Sequence, residues 1–550
     1  MDHSPVPRRQ VIKGALGFAA LGALAACGSG SGGGPGGGPG SGPGAQTSRA
    51  AVRLPDHLPY TGLEPDLPGT PEGALPAFFA YPADPVRFTT GTPARGGTIH
   101  ALCTMNTPPT PLPGNRYWQA LNTALGAELK VTGAPTADYV NKFQTLMAGG
   151  DLPDTMEVRA NTPQLPGLLE ARFQELSEFV SGDRIKDYPG LANIPTVSWQ
   201  STVYNGGIYG IPIHLPAVRL AASARADLIA AKGLDLDVKT GAEFLELCRA
   251  LSEPAANKWA IDEPLSTLEY VGSMLGIANN WRVEGGRFTK NYEDPRFAKA
   301  LELVARMWAE QAFHPDAFTA TGAQKVAWMS SGATKIHIGA STWSNIAVAA
   351  RAADPKAEIK AIAAPKFDGG GQAATYLGPA VFSITGLKKA PKERIQEVLR
   401  VLDWLVSPFG TAEHRQRVYG VKDWDFTLKG SDPLHTDVGK SETTVPTLYI
   451  AASPVVHYTP GFPDITRNEY EAEKTALATR EAWPTGGLYS PTDQAQGAAL
   501  DKRMKDLQAD IIQGRKPVSA WAEGVAAWRS GGGDRIRAEY ADSLQKTGRN

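Results

Sequence analysis

Twelve tryptophans are more than core filling requires in this chain, and several stand beside amides, carboxylates and guanidinium groups. Such a set does non-covalent chemistry. An indole plate holds the apolar face of a ring, while paired polar groups hold the hydroxyls at its edge. Trp343 follows a strand end directly, within a Gly-Ala-Ser-Thr loop too small to bury an indole by itself, and is the foremost candidate. Trp118 opens a helix beside the loop 106–115, where Asn106 and Asn115 are the candidate amides. Trp199, Trp281, Trp424 and Trp483 lie in irregular stretches rich in Gly, Asn and Asp. Glu157, Arg159 and Asn161 leave a strand on alternating positions, which sends all three to one side. Trp308, Trp328 and Trp404 fall on helical faces and read as core.

No covalent chemistry is legible. The chain has no His-Glu-x-x-His, Gly-x-Ser-x-Gly, Cys-x-x-Cys or calcium-loop pattern, and its nine histidines are scattered. The reading is no catalytic set, no metal and no cofactor. The alternative is a lipid-anchored, carbohydrate-active hydrolase or lyase built on carboxylate pairs such as Asp262-Glu263.

The elements that must position these residues alternate between strand and helix. Strands are predicted at Gly97–Thr104, Glu128–Thr132 and Pro153–Val158, with helices at Arg116–Leu125 and Ala137–Ala148 between them. This is a βαβ pattern and implies a largely parallel sheet, whose ligands bind at the carboxyl ends of its strands. Further on, 208–222 reads as extended and Ala224–Lys232 and Ala242–Leu251 as helical. Asp294-Pro295 reads as a helix start. Lys335–Gly339, Ile359–Ala363 and Ala380–Thr385 read as strands, Pro391–Val406 as a helix, and the last hundred residues as helix and loop.

With 550 residues, 42% hydrophobic and 20% charged, the chain is large enough for two lobes with separate cores. A net charge of -1 argues against a nucleic-acid partner. The first residues carry an address. Arg8-Arg9-Gln10-Val11-Ile12-Lys13 matches a twin-arginine export signal, Gly14–Ala26 is a short apolar run, and Leu24-Ala25-Ala26-Cys27 reads as a lipobox. A lipidated Cys27 would tether the chain to the outer face of the cell membrane, outside the cytoplasm. Residues 28–44 are Gly, Ser and Pro alone, a composition that stays a flexible coil. Residues 49–95 are proline-rich, with Tyr60, Phe78, Phe79 and Tyr81 as the aromatics expected to dock the segment on the body. Cys103 and Cys248 are expected to be free, because a chain exported already folded cannot depend on a disulfide.

The order of several segments resembles the extracellular solute-binding proteins of ABC importers, family 1, which are similar to maltose-binding protein. Leu146-Met147-Ala148-Gly149-Gly150-Asp151-Leu152-Pro153-Asp154 resembles the family's ending of the second helix, and Ile208-Tyr209-Gly210-Ile211-Pro212 its entry to the inter-lobe crossing. Arg225-Ala226-Asp227-Leu228 with Gly233-Leu234 resembles the start of the second lobe, and Glu310-Gln311-Ala312-Phe313-His314-Pro315-Asp316 a turn of the longer lipoprotein members. Ile338-Gly339-Ala340-Ser341-Thr342-Trp343-Ser344-Asn345 resembles the strand-to-loop segment of sugar binders, with Ser341 where those carry a second aromatic. Tyr419-Gly420-Val421 with Asp425-Phe426 resembles a further family segment.

The resemblance implies an α/β, two-lobe periplasmic-binding-protein-like fold of type II, with mixed sheets, flanking helices and a ligand cleft between the lobes. On this basis residues 1–26 are the signal, 27–48 the lipidated Cys and linker, and 49–95 the extended segment. Residues 96–213 with 378–415 form the first lobe, and 217–375 with 440–550 the second. Crossings fall near Pro212–Pro216, near Tyr376–Ala380 and after Pro408, which adds Tyr376 to the candidates. The implied partners are an oligosaccharide or other small carbohydrate and the membrane subunits of an ABC transporter, served by a monomer.

Overall fold

The computed structural model describes residues 52–215, 218–339 and 343–547. The export signal, Cys27, the Gly/Ser/Pro linker, Pro216 and Ser341 lie outside the described residues. Thr98–Thr104 (β1) leads through a loop to Arg116–Leu125 (α1), followed by Glu128–Ala134 (β2), Tyr139–Gly149 (α2) and Thr155–Val158 (β3). Helix α1 begins where Asn115 accepts a hydrogen bond from the Trp118 amide, and stops at Gly126, whose φ of 68° suits a residue without Cβ. Its apolar stripe of Tyr117, Trp118, Leu121 and Leu125 is buried. Each such side chain contributes roughly 1.5–3 kcal/mol.

Ile211–His214 (β4) precedes the passage to a second sheet made from Ala221–Arg225 (β5), Trp259–Ile261 (β6), Thr334–Gly339 (β9) and Ile359–Ile362 (β10). Between these strands come Gly241–Leu251 (α3), Pro264–Met274 (α4), the hairpin Trp281–Glu284 (β7) and Arg287–Lys290 (β8), Arg296–Ala309 (α5) and Trp343–Ala353 (α6). The chain returns to the first sheet as Val381–Leu387 (β11), followed by Lys392–Leu405 (α7) and Asp437–Glu442 (α8). Pro463–Leu477 (α9), Ala498–Ile512 (α10) and Asp534–Thr547 (α11) are the principal helices of the remainder.

The sheet orders are β2-β1-β3-β11-β4 and β10-β5-β9-β6. Both are mixed. β1 runs parallel to β2 and β3, and β6 parallel to β9. The returning strand β11 is antiparallel to β3 and β4, and β5 is antiparallel to β9 and β10. The helix expected over Ala224–Lys232 is shorter than expected. Ala221–Arg225 is a strand with partners on both sides, and only Ala226–Ala230 is helical. Small alanines favour helix locally, but here they allow two neighbouring strands to close on them, and pairing overrides propensity.

Two segments pass between the sheets side by side. The Leu215 amide donates to Ala380 O (3.1 Å) and the Arg219 amide to Tyr376 O (3.1 Å), with Val218 bridged to Leu377. A third passage follows α8: Val445, Ile450 and Ala451 lie in the first sheet's core, while Ile465 of α9 packs with Trp343 and Ile359 of the second. The opening of 440–550 therefore packs with the first lobe, and α10 and α11 pack in the second lobe's core through Leu500, Met504, Ile536 and Tyr540. The proline-rich segment docks as expected of its aromatics. Phe78 and Tyr81 are buried with Phe409, Tyr419 and Phe426, and Tyr470 Oη donates to Pro68 O (2.8 Å). Cys103 and Cys248 are free and buried in separate cores.

Candidate functional site

At the carboxyl end of the first sheet, strand alternation sets Glu157 and Arg159 on one side. Glu157, 1% exposed, accepts from the Thr104 amide (2.7 Å) and from Arg159 Nε (2.8 Å). Arg159 Nη2 donates to Thr104 Oγ1 (2.6 Å) and Nη1 to Thr136 O (3.2 Å). Two of its five N–H donors have no protein partner among the described residues. The guanidinium lies 4.9 Å from the Tyr139 ring centroid and 5.5 Å from that of Phe382, which meets Tyr449 at 5.4 Å. Burial and the Glu157 carboxylate hold the Tyr139 phenol far above its ordinary pKa, so its hydroxyl stays a donor, to Glu157 O (2.6 Å). Asn106 joins this cluster, accepting from the Thr136 amide and hydroxyl (2.9 and 3.0 Å). Asn161 is exposed beyond it.

The loop after β1 brings a second group to the same end. The Arg116 guanidinium stacks 3.7 Å from the Trp424 centroid, and Trp424 Nε1 donates to Glu442 (3.2 Å). Asn115 is used otherwise than expected. Fully buried, it caps α1 and donates to Thr110 O and Glu442 O, which leaves no amide for a ligand. Trp118 folds onto the sheet and donates to Leu129 O (2.9 Å), and Trp199 is 1% exposed in the same core. A tryptophan near a helix start reads alike whether it turns outward or down, so sequence could not separate these cases.

In the second lobe, Trp343 and Tyr376 line a cavity of about 550 Å³ together with Val218, Ile362, Leu75 and His457. Trp343 is also core: 7% exposed, it packs with Met329, Ile346 and Ile465, and its buried Nε1 has no partner among the described residues. Trp281, Tyr376 and Trp483 line a second cavity of about 250 Å³. Tyr376 donates to Ile277 O (2.5 Å), and burial, then Glu481 and Glu269, keep its phenol protonated. Arg219, which the sequence reading passed over, lies 5.7 Å from both the Trp483 and Tyr376 centroids and is held by Glu269 (2.5 Å) and Asn279 (3.3 Å). Phe382, Tyr449 and Arg116 were also missed. The only local signal for Arg219 was its place in the proline-broken extended run. Among the described residues no cluster of His, Cys, Asp or Glu is set to hold a metal ion, and no helix is long and apolar enough to cross a membrane. The arrangement offers oriented donors, acceptors and aromatic faces.

Known proteins share this architecture. The polygalacturonan/rhamnogalacturonan-binding protein YtcQ of Bacillus subtilis (strain 168) is 22% identical over 458 residues, covering 79% of this chain and 89% of that protein. Lipoprotein LipO of the same organism is 22% identical over 479 residues, covering 82% of this chain and 93% of its own length. Among solved structures, the alginate-binding protein AlgQ2 superposes with a TM-score of 0.59 at 16% identity, covering 84% of this chain and all of that one. The N-glycan transport solute-binding protein NgtS of Streptococcus pneumoniae gives 0.59 at 14% identity, over 83% of this chain and 99% of its own. The fold is the two-lobed, type II periplasmic-binding-protein architecture that the resemblance implied. The family model for bacterial extracellular solute-binding proteins matches residues 117–421, and the chain belongs to that family.

Proposed function

We propose that the protein captures an oligosaccharide outside the cytoplasm and hands it to the membrane subunits of an ABC importer, working as a monomer tethered through lipidated Cys27. The observation that carries the reading is Arg159, locked by Glu157 and Thr104 beside Phe382, with donors left over at a strand's carboxyl end. A fixed guanidinium beside an aromatic plate matches a ring with hydroxyl edges and apolar faces. Trp424 on the first lobe and Trp281, Trp343, Tyr376 and Trp483 on the second are the further contacts proposed, with Asn106 and Asn161 at the rim. YtcQ by its name binds polygalacturonan and rhamnogalacturonan, and AlgQ2 alginate, which supports a carbohydrate as the class of ligand.

Calorimetry and thermal shift against a panel of plant, fungal and bacterial oligosaccharides test the reading. A ligand at a hundred times its Kd stabilises by about 2.7 kcal/mol. Saturable binding without turnover is expected. Hydrolysis or cleavage of the panel by the purified protein would replace this reading with the enzymatic one. Anchoring is tested separately: Cys27→Ser should release the protein from membranes, and a variant still held there would refute the tether.

A further inference from the structure

The smaller cavity lies in the second lobe and is partly open to solvent. Its wall is built by α4, the β7–β8 hairpin, α10 and α11, and Arg219, Tyr376 and Trp483 form the side nearest the crossing segments. Several groups there lack partners. Gln508 on α10 is 7% exposed, lines the cavity, and its amide has no hydrogen-bond partner among the described residues. Asn291 Oδ1 and Arg219 Nε are fully buried and unpaired on residues that line the same space, whereas the Gln508 amide keeps accessible surface. Buried amides and guanidinium N–H groups are normally satisfied, and leaving one unmet is costly. This cavity therefore presents the Gln508 amide on a wall that also carries the Trp281, Tyr292 and Trp483 rings.

Charge and size narrow the occupant. Lys290, 5% exposed, bonds Asn280 and sits 5.0 and 4.8 Å from the Trp281 and Tyr292 centroids. Tyr292 Oη donates to Asp501 (3.2 Å), and Tyr540 Oη to Asp493 (2.7 Å). Arg219, Lys290 and Lys505 are thus matched by Glu269, Asp493 and Asp501, leaving no net charge to attract an ion. At about 250 Å³ the space lies just below the usual range of small-molecule sites and suits one ring, not a chain.

We propose that this cavity is a terminal subsite that takes a single neutral, hydroxyl-bearing ring at one end of the captured oligosaccharide. The proposal rests on the carbohydrate reading above and adds where one end lies and what it must be. Gln508 holds ring hydroxyls, and the tyrosine-bridged carboxylates and Lys290 set the orientation of the others.

The test is calorimetry of the full chain and of Gln508→Leu with maltotriose, cellotriose, xylotriose, mannotriose and chitotriose, and with trigalacturonate as the charged counterpart. Expected is binding of at least one neutral trisaccharide by the parent protein, at least tenfold weaker in Gln508→Leu, with an unchanged or raised melting temperature. Equal affinity in the two proteins would overturn the subsite and leave the carbohydrate reading standing. Preference for trigalacturonate over every neutral sugar would overturn the neutral-ring assignment. Failure of the parent protein to bind any of the panel oligosaccharides above would overturn both. Should Gln508→Leu not fold, a crystal structure of the parent complex decides: a sugar ring in the cavity supports the subsite, and water alone refutes it.

Discussion

His457 Nε2 and Glu473 Oε2 lie 2.7 Å apart, joining the third passage between the lobes to helix α9. The same Glu473 oxygen accepts the Leu75 amide (2.8 Å), and Glu469 faces His457 Nδ1 at 3.5 Å. The His457 backbone meanwhile pairs with the N-terminal segment, accepting from the Phe78 amide and donating to Pro76 O (both 2.9 Å). One imidazole thus ties the docked segment, the passage and the second lobe together.

That tie makes stability pH-dependent. Burial opposes the charged imidazole, but hydrogen bonds and charge from Glu469 and Glu473 win and raise its pKa to about 9. The folded value lies above the unfolded value of about 6.5, so the contribution is complete below pH 6.5 and disappears as pH rises through 9. A fall in Tm of roughly 2–4 °C between pH 7 and 9.5 is expected. Glu473→Gln should lower Tm at pH 7 and flatten the slope above it, and an identical slope in the variant would refute the assignment.

Asp403 on α7 should behave in the opposite sense to an ordinary ion-paired carboxylate. Burial pushes its pKa up to about 7, against the Leu191 and Gly190 amides, and Leu191 N donates to it at 3.0 Å. Its folded pKa exceeds the unfolded value of about 3.9, so its contribution is favourable below pH 3.9 and lost as pH climbs through 7. Asparagine keeps the acceptor for Leu191 without the charge. Asp403→Asn should therefore match the parent protein only below about pH 4 and exceed its Tm increasingly up to pH 8. A lower Tm at pH 8 would mean the carboxylate is stabilised by something other than these two amides.

Much of the first sheet was readable from the chain. Arg116–Leu125 is helical over the predicted span, because its cap, its apolar spacing and its terminal glycine are all local signals. Asp294-Pro295 was read as a helix start and the helix begins one residue later, with Asp294 accepting from the Arg296 amide (3.0 Å). The site was less legible because its partners are distant in sequence. Arg219 meets Glu269 across 50 residues and Trp483 across a longer stretch. Strand alternation, a local rule, places Glu157 and Arg159 on one side, whereas the burial of Trp118 and Trp199 depends on what packs above them.

Trp343 has two roles to separate. Its ring packs with Met329, Ile346 and Ile465 and also lines the larger cavity. Trp343→Ala should cost about 3–5 kcal/mol in stability, as large core truncations do. Trp343→Phe should keep most of that packing while losing the indole N–H and part of the plate. Affinity for a bound oligosaccharide is expected to fall about tenfold in Trp343→Phe, a loss of 1.4 kcal/mol. Full affinity in a destabilised variant would assign the ring to the core alone.

Arg159 gives the sharpest separation of binding from folding. Its side chain is 14% exposed, and Glu157 beside it is wholly buried. Arg159→Lys keeps the charge that Glu157 requires, so the fold should survive with a modest drop in Tm. Lysine cannot reproduce the fork that reaches Glu157, Thr104 and Thr136 while leaving donors free. Oligosaccharide affinity should fall tenfold or more, mainly through faster release, because an oriented donor near an aromatic face is lost. Arg159→Met removes the charge as well and strands a buried carboxylate, so it should destabilise strongly. Calorimetry paired with a melting curve on both variants reads the two effects apart. Parent-like affinity in Arg159→Lys would move the ligand away from this edge of the first sheet.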